Sequence, residues 1–327
     1  MRNNSFRPVR LAAATAALVA ALVAGPAGVA GAAPPDPNLL SEFRATAHFD
    51  AAAGQIPENL VVGPDGSAYV TFIGSRQVAR VGADGAVTVL ATLPLPDDGG
   101  AGTPLAGAAV PTGIDRTSDG TLYVAYAAGD SRFTGLWRLR PGGTPQRIAA
   151  LPADSFPNGI DVDETSGTVY IADSVLGTVW QAPVSGGPAS PWAAGPALER
   201  TAFAGANGLK VHRRAVWVTN TDMGTLLRIP IRGNASAGPI QTRAHGLAGV
   251  DDFAFTGRGD QALAALFGTS ELALVDAGSR STAVLDEGDG LQNPTAVAVQ
   301  GTTVVISSSA RQTGTNPNLV TARLLRR

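Results

Sequence analysis

The sequence predicts an all-β protein, a six-bladed β-propeller with four antiparallel strands per blade and a last blade closed by an N-terminal strand. A short sequence motif, called the repeated phrase below, recurs six times with the period of a propeller blade. Further strand-like runs follow each recurrence, as a four-stranded blade requires. A polar residue also occupies the same place in every phrase, which favours a propeller over a long β-sandwich, because a sandwich predicts no such phase-locked residue.

The repeated phrase is a Pro or small residue, a polar residue, a small residue and an apolar run. Its second residue falls at positions 58, 112, 158, 207, 251 and 295, at intervals of 54, 46, 49, 44 and 44 residues. A second apolar run then alternates in the manner of a strand, as at residues 122–126 and 169–173. Turn residues such as Pro-Asp-Gly at 64–66 precede it, which is typical of a tight hairpin.

The last repeat is too short to complete a blade by itself. Only 32 residues follow Thr295, enough for about three strands. Residues 43–49 precede the first repeat and can supply the missing outer strand. This overlap joins the two ends of the propeller and removes the exposed sheet edges that an open structure would leave.

The N-terminal region predicts export. Arg2, Arg7 and Arg10 precede an apolar run at residues 11–24 and then a stretch of small residues, the pattern of a secretory signal cleaved after Ala32. The run is shorter than the roughly 20 residues of a membrane-spanning helix, although an uncleaved N-terminal anchor stays open. We therefore expect a signal peptide at residues 1–32, a Pro-rich linker at 33–42 and the propeller at 43–327, in a secreted or extracytoplasmic protein.

Composition excludes several classes of site and partner. The chain has no cysteine, which excludes disulfides, thiol nucleophiles and thiolate zinc sites. Its net charge of −2 gives no electrostatic reason to bind nucleic acid or an anionic membrane. We expect a monomer that is stabilised by its apolar core and has no nucleic-acid partner and no stable membrane association after signal cleavage.

The six phase-locked residues all carry a side-chain oxygen, and they are Glu58, Thr112, Asn158, Asn207, Asp251 and Thr295. The first strand of each blade lines the propeller channel, so these residues are expected to form a ring. Carboxylates and carboxamides in a narrow space are costly to desolvate unless a cation lies among them. Oxygen ligands of this kind suit Ca²⁺.

The ring therefore predicts a site for a divalent cation, Ca²⁺ before others, with Glu58, Asn158, Asn207 and Asp251 as ligands. The competing interpretation is that the ring residues only cap turns, and it is favoured for Thr112 and Thr295. Zinc is disfavoured because the three histidines, His48, His212 and His245, fall at unrelated phases of the repeat.

The first residues of each repeated phrase are called its opening. Four of the six openings resemble those of the senescence marker protein-30, gluconolactonase and luciferin-regenerating enzyme family of six-bladed propellers. They are Pro57-Glu58, Pro157-Asn158-Gly159, Asn207-Gly208-Leu209 and Asp251-Asp252. The resemblance implies a metal held by Glu58, Asn207 and Asp251, with Asn158 close to metal or substrate. It also implies Asp251 as the acid–base group, with Asp252 as the alternative.

The sequence departs from that family at three points. Its first opening reads Pro-Glu-Asn where Gly-Glu-Gly-Pro is usual, Thr112 stands where the architecturally related paraoxonases place a catalytic histidine, and no arginine matches the one that recognises sugar lactones. The resemblance thus implies the metal site more firmly than the substrate.

Together these features predict a metal-dependent hydrolase of a small-molecule lactone or ester. The ion would polarise the substrate carbonyl and activate a water, Asp251 would accept the proton, and Asn158 and Thr112 would contact the substrate. No Gly-x-Ser-x-Gly nucleophile elbow is present.

Two alternatives stay open. One is a non-catalytic exported propeller with NHL-like repeats that binds a ligand or protein on its face. The other is a strictosidine-synthase-like condensation, for which Glu271 and Glu287 stand in unfavourable contexts. The long segment 95–110 is expected to be a surface insertion, with a lid over the channel as the alternative.

Overall fold

The computed structural model describes residues 39–276 and 281–325 of the chain. The predicted signal peptide, residues 1–32, and the predicted linker as far as residue 38 lie outside the described residues. Among the residues that are described, no helix has the length and apolar character needed to cross a bilayer.

Within these ranges the chain forms 24 strands and two short 3₁₀ helices, Pro196–Leu198 and Glu287–Asp289. The strands are, in chain order, β1 (Leu40–His48), β2 (Pro57–Val62), β3 (Ala68–Phe72), β4 (Gln77–Val81), β5 (Val87–Thr92), β6 (Val110–Arg116), β7 (Leu122–Ala127), β8 (Gly135–Leu139), β9 (Gln146–Ala150), β10 (Pro157–Asp163), β11 (Thr168–Asp173), β12 (Thr178–Pro183), β13 (Ser190–Ala194), β14 (Ala206–His212), β15 (Ala215–Asn220), β16 (Thr225–Pro230), β17 (Gln241–Ala244), β18 (Val250–Phe255), β19 (Ala262–Leu266), β20 (Glu271–Val275), β21 (Ser281–Leu285), β22 (Pro294–Gln300), β23 (Thr303–Ser308) and β24 (Asn318–Leu324).

In the described part of the chain these strands make six four-stranded antiparallel sheets, which confirms the predicted six-bladed propeller. Five blades are each built from consecutive strands, β2–β5, β6–β9, β10–β13, β14–β17 and β18–β21. Each begins at one of the six repeated openings, because the strand-forming runs and their turns recur in the same order.

The sixth blade has the order β1-β24-β23-β22, so the strand that precedes the first repeat supplies its outer edge. This confirms the predicted closure. Strand β1 begins at Leu40, three residues before the predicted boundary at 43, since Leu40 pairs with Leu324 and both side chains are buried. The Thr46 hydroxyl adds a hydrogen bond to the Leu319 carbonyl.

The core lies between the blades. Six clusters of buried apolar side chains fill the spaces between neighbouring sheets, and their members come from the two faces that meet. A seventh, smaller cluster consists of Val110, Ala127 and Phe156 with partly buried apolar neighbours. It gathers residues at the starts of two inner strands and the end of β7, at the face where the polar openings lie.

Candidate functional site

The six inner strands, β2, β6, β10, β14, β18 and β22, share a local irregularity at their first residues. In each blade the regular pairing with the second strand is interrupted between the residue before the phase-locked polar residue and the first or second residue after it. The phase-locked polar residue stands inside this bulge in every blade. A β-bulge re-aims side chains and ends regular pairing, so the same irregularity turns all six residues toward one end of the channel.

Glycine at the third position of three openings, Gly113, Gly159 and Gly208, explains how closely the inner strands approach one another. A Cβ added at Gly113 would lie 2.2 Å from the Asn158 carbonyl oxygen, and one at Gly159 would lie 2.4 Å from that of Asn207. Neither position accepts a side chain without moving the next blade. These glycines therefore bring Asn158 and Asn207 to the channel mouth.

One cavity of about 300 Å³ lies at this mouth. Five of the six predicted ring residues line it, namely Glu58, Thr112, Asn158, Asn207 and Asp251. The structure thus brings together the four residues that the sequence predicted as metal ligands, although they come from four different blades. The sixth, Thr295, donates its hydroxyl toward the Pro57 carbonyl at 3.3 Å and does not reach the lining.

Thr112 lines the cavity, but its hydroxyl donates to the Pro157 carbonyl at 2.7 Å. Both ring threonines thus tie the start of one inner strand to the next, as the capping interpretation expected. Thr112 contributes a wall to the cavity, and its hydroxyl hydrogen is already used.

Two buried oxygens of the ring have no hydrogen-bond partner among the described residues. They are Glu58 Oε2 and Asn207 Oδ1, and both residues are more than nine-tenths buried. An unpaired buried oxygen loses its hydration without compensation. Both residues line the same cavity, which makes it suitable for a cation that would take these oxygens as ligands.

The orientation of Asn207 is fixed by a neighbouring hydroxyl. Thr221 Oγ1 donates to the Val250 carbonyl at 2.8 Å, so it can only accept from Asn207, whose Nδ2 lies 2.9 Å away. The carboxamide nitrogen must therefore face Thr221 and its oxygen the cavity, and the hydrogen-bond network settles the amide assignment.

The third blade repeats this arrangement. Asn158 Nδ2 donates to Ser174 Oγ at 3.2 Å, and Ser174 donates to the Ala206 carbonyl at 2.7 Å. Neither Ser174 nor Thr221 was predicted from the sequence. The signal was present, since each is the residue that follows the second strand of its blade, and Ile73 and Phe267 hold that place in two other blades and also line the cavity.

Arg311 was also not predicted. It lies between β23 and β24, with its guanidinium 3.7 Å from Glu58 Oε2 and 6.0 Å from the centre of the Phe267 ring. Burial raises the pKa of Glu58, and the charge of Arg311 opposes that rise. The arginine thus balances part of the negative charge at the cavity floor.

Asp251 is half-buried at the same floor. Burial, followed by the negative charges of Glu58 and Asp252, raises the pKa of Asp251 well above its usual range. A raised pKa makes a carboxylate a stronger proton acceptor, as a general base requires.

Asp252 is directed elsewhere. Its fully buried carboxylate accepts hydrogen bonds from Lys210 Nζ at 2.8 and 2.9 Å and from Asn59 Nδ2 at 3.3 Å. Asp252 is not among the lining residues of the cavity, and its charge is already compensated. Asp251 is therefore the better placed of the two adjacent carboxylates to act at the site.

Lys210, the only lysine of the chain, belongs to a charged cluster deeper in the channel. Asp115, Asp161 and Lys210 line a second cavity of about 250 Å³, which all six inner strands enclose. Burial and the charge of Asp115 raise the pKa of Asp161 well above its usual range. Two buried carboxyl groups thus share this cluster with a single lysine.

This cluster predicts a dependence of stability on pH. The pKa of an unfolded Asp is near 3.8, and that of Asp161 in the folded state is raised well above it. At pH values between the two, Asp161 is ionised only in the unfolded state. The free energy of unfolding therefore falls as pH rises through this range. Asp161→Asn mimics the protonated carboxyl, and it is expected to remove this part of the dependence. Urea unfolding of both proteins between pH 4 and pH 8 measures it, and parallel curves would contradict the assignment.

The residues that end second strands hold loops in place. Asp173 is fully buried and accepts hydrogen bonds from Ser155, Phe156 and Trp180. Tyr126 donates to the Pro94 carbonyl, and Asn220 donates to the carbonyls of Ala197 and Glu199. All three side chains therefore have packing or capping roles.

No protein-family model matches the sequence, and no curated protein matches it either. Solved structures do match. The calcium-binding protein regucalcin from Agrobacterium tumefaciens is 16% identical with a TM-score of 0.61, over 85% of this chain and 93% of that one. A gluconolactonase from Xanthomonas campestris is 14% identical with a TM-score of 0.61, over 90% and 99%.

Virginiamycin B lyase from Staphylococcus aureus, in a catalytically inactive form with quinupristin, is 12% identical with a TM-score of 0.59, over 87% of this chain and 100% of that one. At these identities the likeness concerns the fold. The similarity to gluconolactonase and regucalcin structures confirms the resemblance found in the sequence, and the chain shares with them the six-bladed propeller fold.

Proposed function

We propose that the protein is a metal-dependent hydrolase of lactones or esters, and that its ion is Ca²⁺. The observation that carries the proposal is the pair of buried oxygens without a hydrogen-bond donor, Glu58 Oε2 and Asn207 Oδ1, on residues that line a cavity together with Asn158 and Asp251. Four hard oxygen-bearing side chains from four blades fit a cation that prefers oxygen ligands.

The composition of the ring suits calcium better than zinc. Within the described residues no three His, Cys, Asp or Glu side chains form a metal-binding group. Glu58 and Asp251 are the two carboxylates of the ring, so an ion there would also need amide oxygens. Carboxamide and carboxylate oxygens are ordinary ligands of Ca²⁺, whereas zinc sites rely on His and Cys.

Such an ion, when bound, supplies Lewis acidity toward a carbonyl oxygen and lowers the pKa of water. Asp251 accepts the proton of the attacking water, for which its raised pKa suits it. Asn158 and Asn207 keep their oxygens directed into the cavity because Ser174 and Thr221 hold their amide nitrogens.

The structural neighbours support the proposal without deciding it. One is described as a gluconolactonase and another as a calcium-binding protein. The lyase neighbour is described as inactive in a form with one histidine replaced by alanine. No histidine occurs among the residues that line the cavity in the described part of this chain. The carboxylate of Asp251 is therefore the better candidate for the general base.

The sequence supports a second part of the proposal, that the protein acts after export. The arginines at 2, 7 and 10 and the apolar run at 11–24 are its basis. Calcium is a suitable ion for such a location, because extracellular modules bind it with modest affinity.

The proposal is tested by calorimetry with Ca²⁺, Mg²⁺ and Zn²⁺ and by hydrolysis assays on γ-lactones and aryl esters. We expect Ca²⁺ to bind once per chain and hydrolysis to stop with chelator. Binding of Ca²⁺ without turnover of any substrate would favour the non-catalytic exported propeller, and absence of both would end the metal-site proposal.

The hydroxyl that orients Asn207 gives a specific prediction. Thr221→Val removes the acceptor for Asn207 Nδ2, so the carboxamide loses its fixed orientation, and the dissociation constant for Ca²⁺ is expected to rise about 10–100-fold. Thr221→Ser keeps the hydroxyl and is expected to bind Ca²⁺ as the native protein does. Calorimetry on the three proteins measures the difference, and unchanged affinity in the valine variant would show that this hydrogen bond does not organise the site.

A further inference from the structure

The walls of the cavity differ sharply from its floor. Above the four polar ligands stand six apolar side chains, which are Ile73, Leu105, Val110, Phe156, Phe203 and Phe267. They come from the ends of inner and second strands and from three loops, so they surround the floor from several blades. A substrate whose reacting carbonyl meets the floor must place its remaining atoms against this wall.

Phe203 is held in an exposed position by a dedicated set of hydrogen bonds. It is 57% exposed, although large apolar side chains are normally buried. The Asp222 carboxylate accepts hydrogen bonds from four consecutive backbone N–H groups, those of residues 201–204. These bonds fix the loop that carries Phe203 at the mouth of the cavity.

Leu105 and Phe156 are positioned by equally specific local structure. Leu105 has a φ of +59°, a left-handed conformation that non-glycine residues rarely adopt and that tends to occur at functional sites. The Phe156 backbone N–H donates to the buried Asp173 carboxylate. Both side chains join the seventh apolar cluster, which lies at the channel mouth and not between blades.

The polar groups at the rim are few. Thr221 uses its hydroxyl to hold Asn207, and the Arg311 guanidinium lies 3.7 Å from Glu58 Oε2, which leaves Gln312. A polyhydroxylated ring would bury several hydroxyl groups against apolar walls without partners, which is unfavourable. An alkyl or aryl arm would instead exchange water for apolar contacts.

We propose that the site takes lactones or esters that carry an apolar alkyl or aryl arm, and not polyhydroxylated sugar lactones. This inference rests on the proposed hydrolase function. The cavity has room for on the order of ten waters at about 30 Å³ each, so a lactone ring with a short arm fills it.

The test is a series of γ-lactones with hydrogen, ethyl, butyl or hexyl arms, assayed with the full chain and Ca²⁺ beside ribono-γ-lactone. We expect kcat/KM to rise by up to about fourfold per methylene until the arm fills the cavity, and to be lowest for ribono-γ-lactone. Constant kcat/KM along the series, or a preference for ribono-γ-lactone, would overturn the inference and leave the hydrolase function intact.

Phe203→Ala is the matching variant, since its exposed side chain lies outside the buried clusters. We expect kcat/KM to fall about tenfold for the butyl-substituted lactone and to fall less for γ-butyrolactone, which has no arm to contact Phe203. Phe43→Ala removes another exposed phenylalanine, 40% exposed on β1, and is expected to change neither value. Equal losses for both substrates would contradict an apolar contact with the arm.

A binding experiment separates the two proposals. The corresponding 5-alkyl-2-pyrrolidinones resemble the lactones but resist hydrolysis, and their dissociation constants follow from calorimetry. If no lactone is hydrolysed, the hydrolase function fails, while tightening along the lactam series still supports the apolar pocket. A dissociation constant independent of arm length would overturn the pocket as well.

Discussion

Replacing Asp251 with alanine is expected to lower kcat/KM for lactones about a thousandfold, within the range contributed by a positioned general base, and to weaken the binding of Ca²⁺. The Asp251 carboxyl group is both the proposed proton acceptor and one of the two carboxyl groups proposed as ligands, and it lines the cavity. Steady-state assays and calorimetry on the same preparation measure the two effects.

Asp251→Asn separates these roles. The carboxamide keeps an oxygen for the ion but accepts no proton at neutral pH, so we expect this variant to retain more Ca²⁺ affinity than Asp251→Ala and equally little turnover. Thr295→Ala is the control, because Thr295 occupies the same place in the sixth repeat but does not line the cavity. Substantial lactone turnover by Asp251→Ala would refute the mechanism.

Replacing Lys210 with methionine is expected to lower the free energy of unfolding by about 3–5 kcal/mol, as in other cases where one partner of a buried ion pair is removed. Asp252 is fully buried and Lys210 supplies its counter-charge at 2.8 Å, while Asp161 and Asp115 lie in the same cluster. Denaturant unfolding at neutral pH measures the loss.

The double variant Lys210→Met with Asp252→Asn removes both charges of the pair. We expect it to recover part of the lost stability, because no uncompensated carboxylate then remains at position 252. If the single variant loses less than about 1 kcal/mol, as is usual for exposed ion pairs, then Lys210 does not balance the buried aspartates.

The sequence was sufficient for the fold and for the floor of the site. The repeat gave the number of blades, and the shared phase of Glu58, Asn158, Asn207 and Asp251 placed them at one depth. This worked because residues at equal phase in successive blades are related by the rotation between blades.

The wall and the deeper cluster were not predicted. Arg311, Phe203 and Leu105 lie on connections whose lengths differ from blade to blade, so no fixed spacing relates them to the ring. Lys210 and Asp161 do stand on inner strands, but the bulge at the strand start interrupts the alternation that would have shown which deeper residues face the axis.

The pairing of β1 with β24 determines which blade can fold last during synthesis. Five blades are contiguous in the chain and can form once their own residues exist, whereas the hydrogen bond from Thr46 to Leu319 joins residues 273 apart. Strand β1 can pair only after β24, the last of the described strands, has been synthesised. A chain truncated before β24 would therefore remain an open ring with unsatisfied strand edges and would tend to aggregate. Only a chain that contains both β1 and β24 can close the sixth blade.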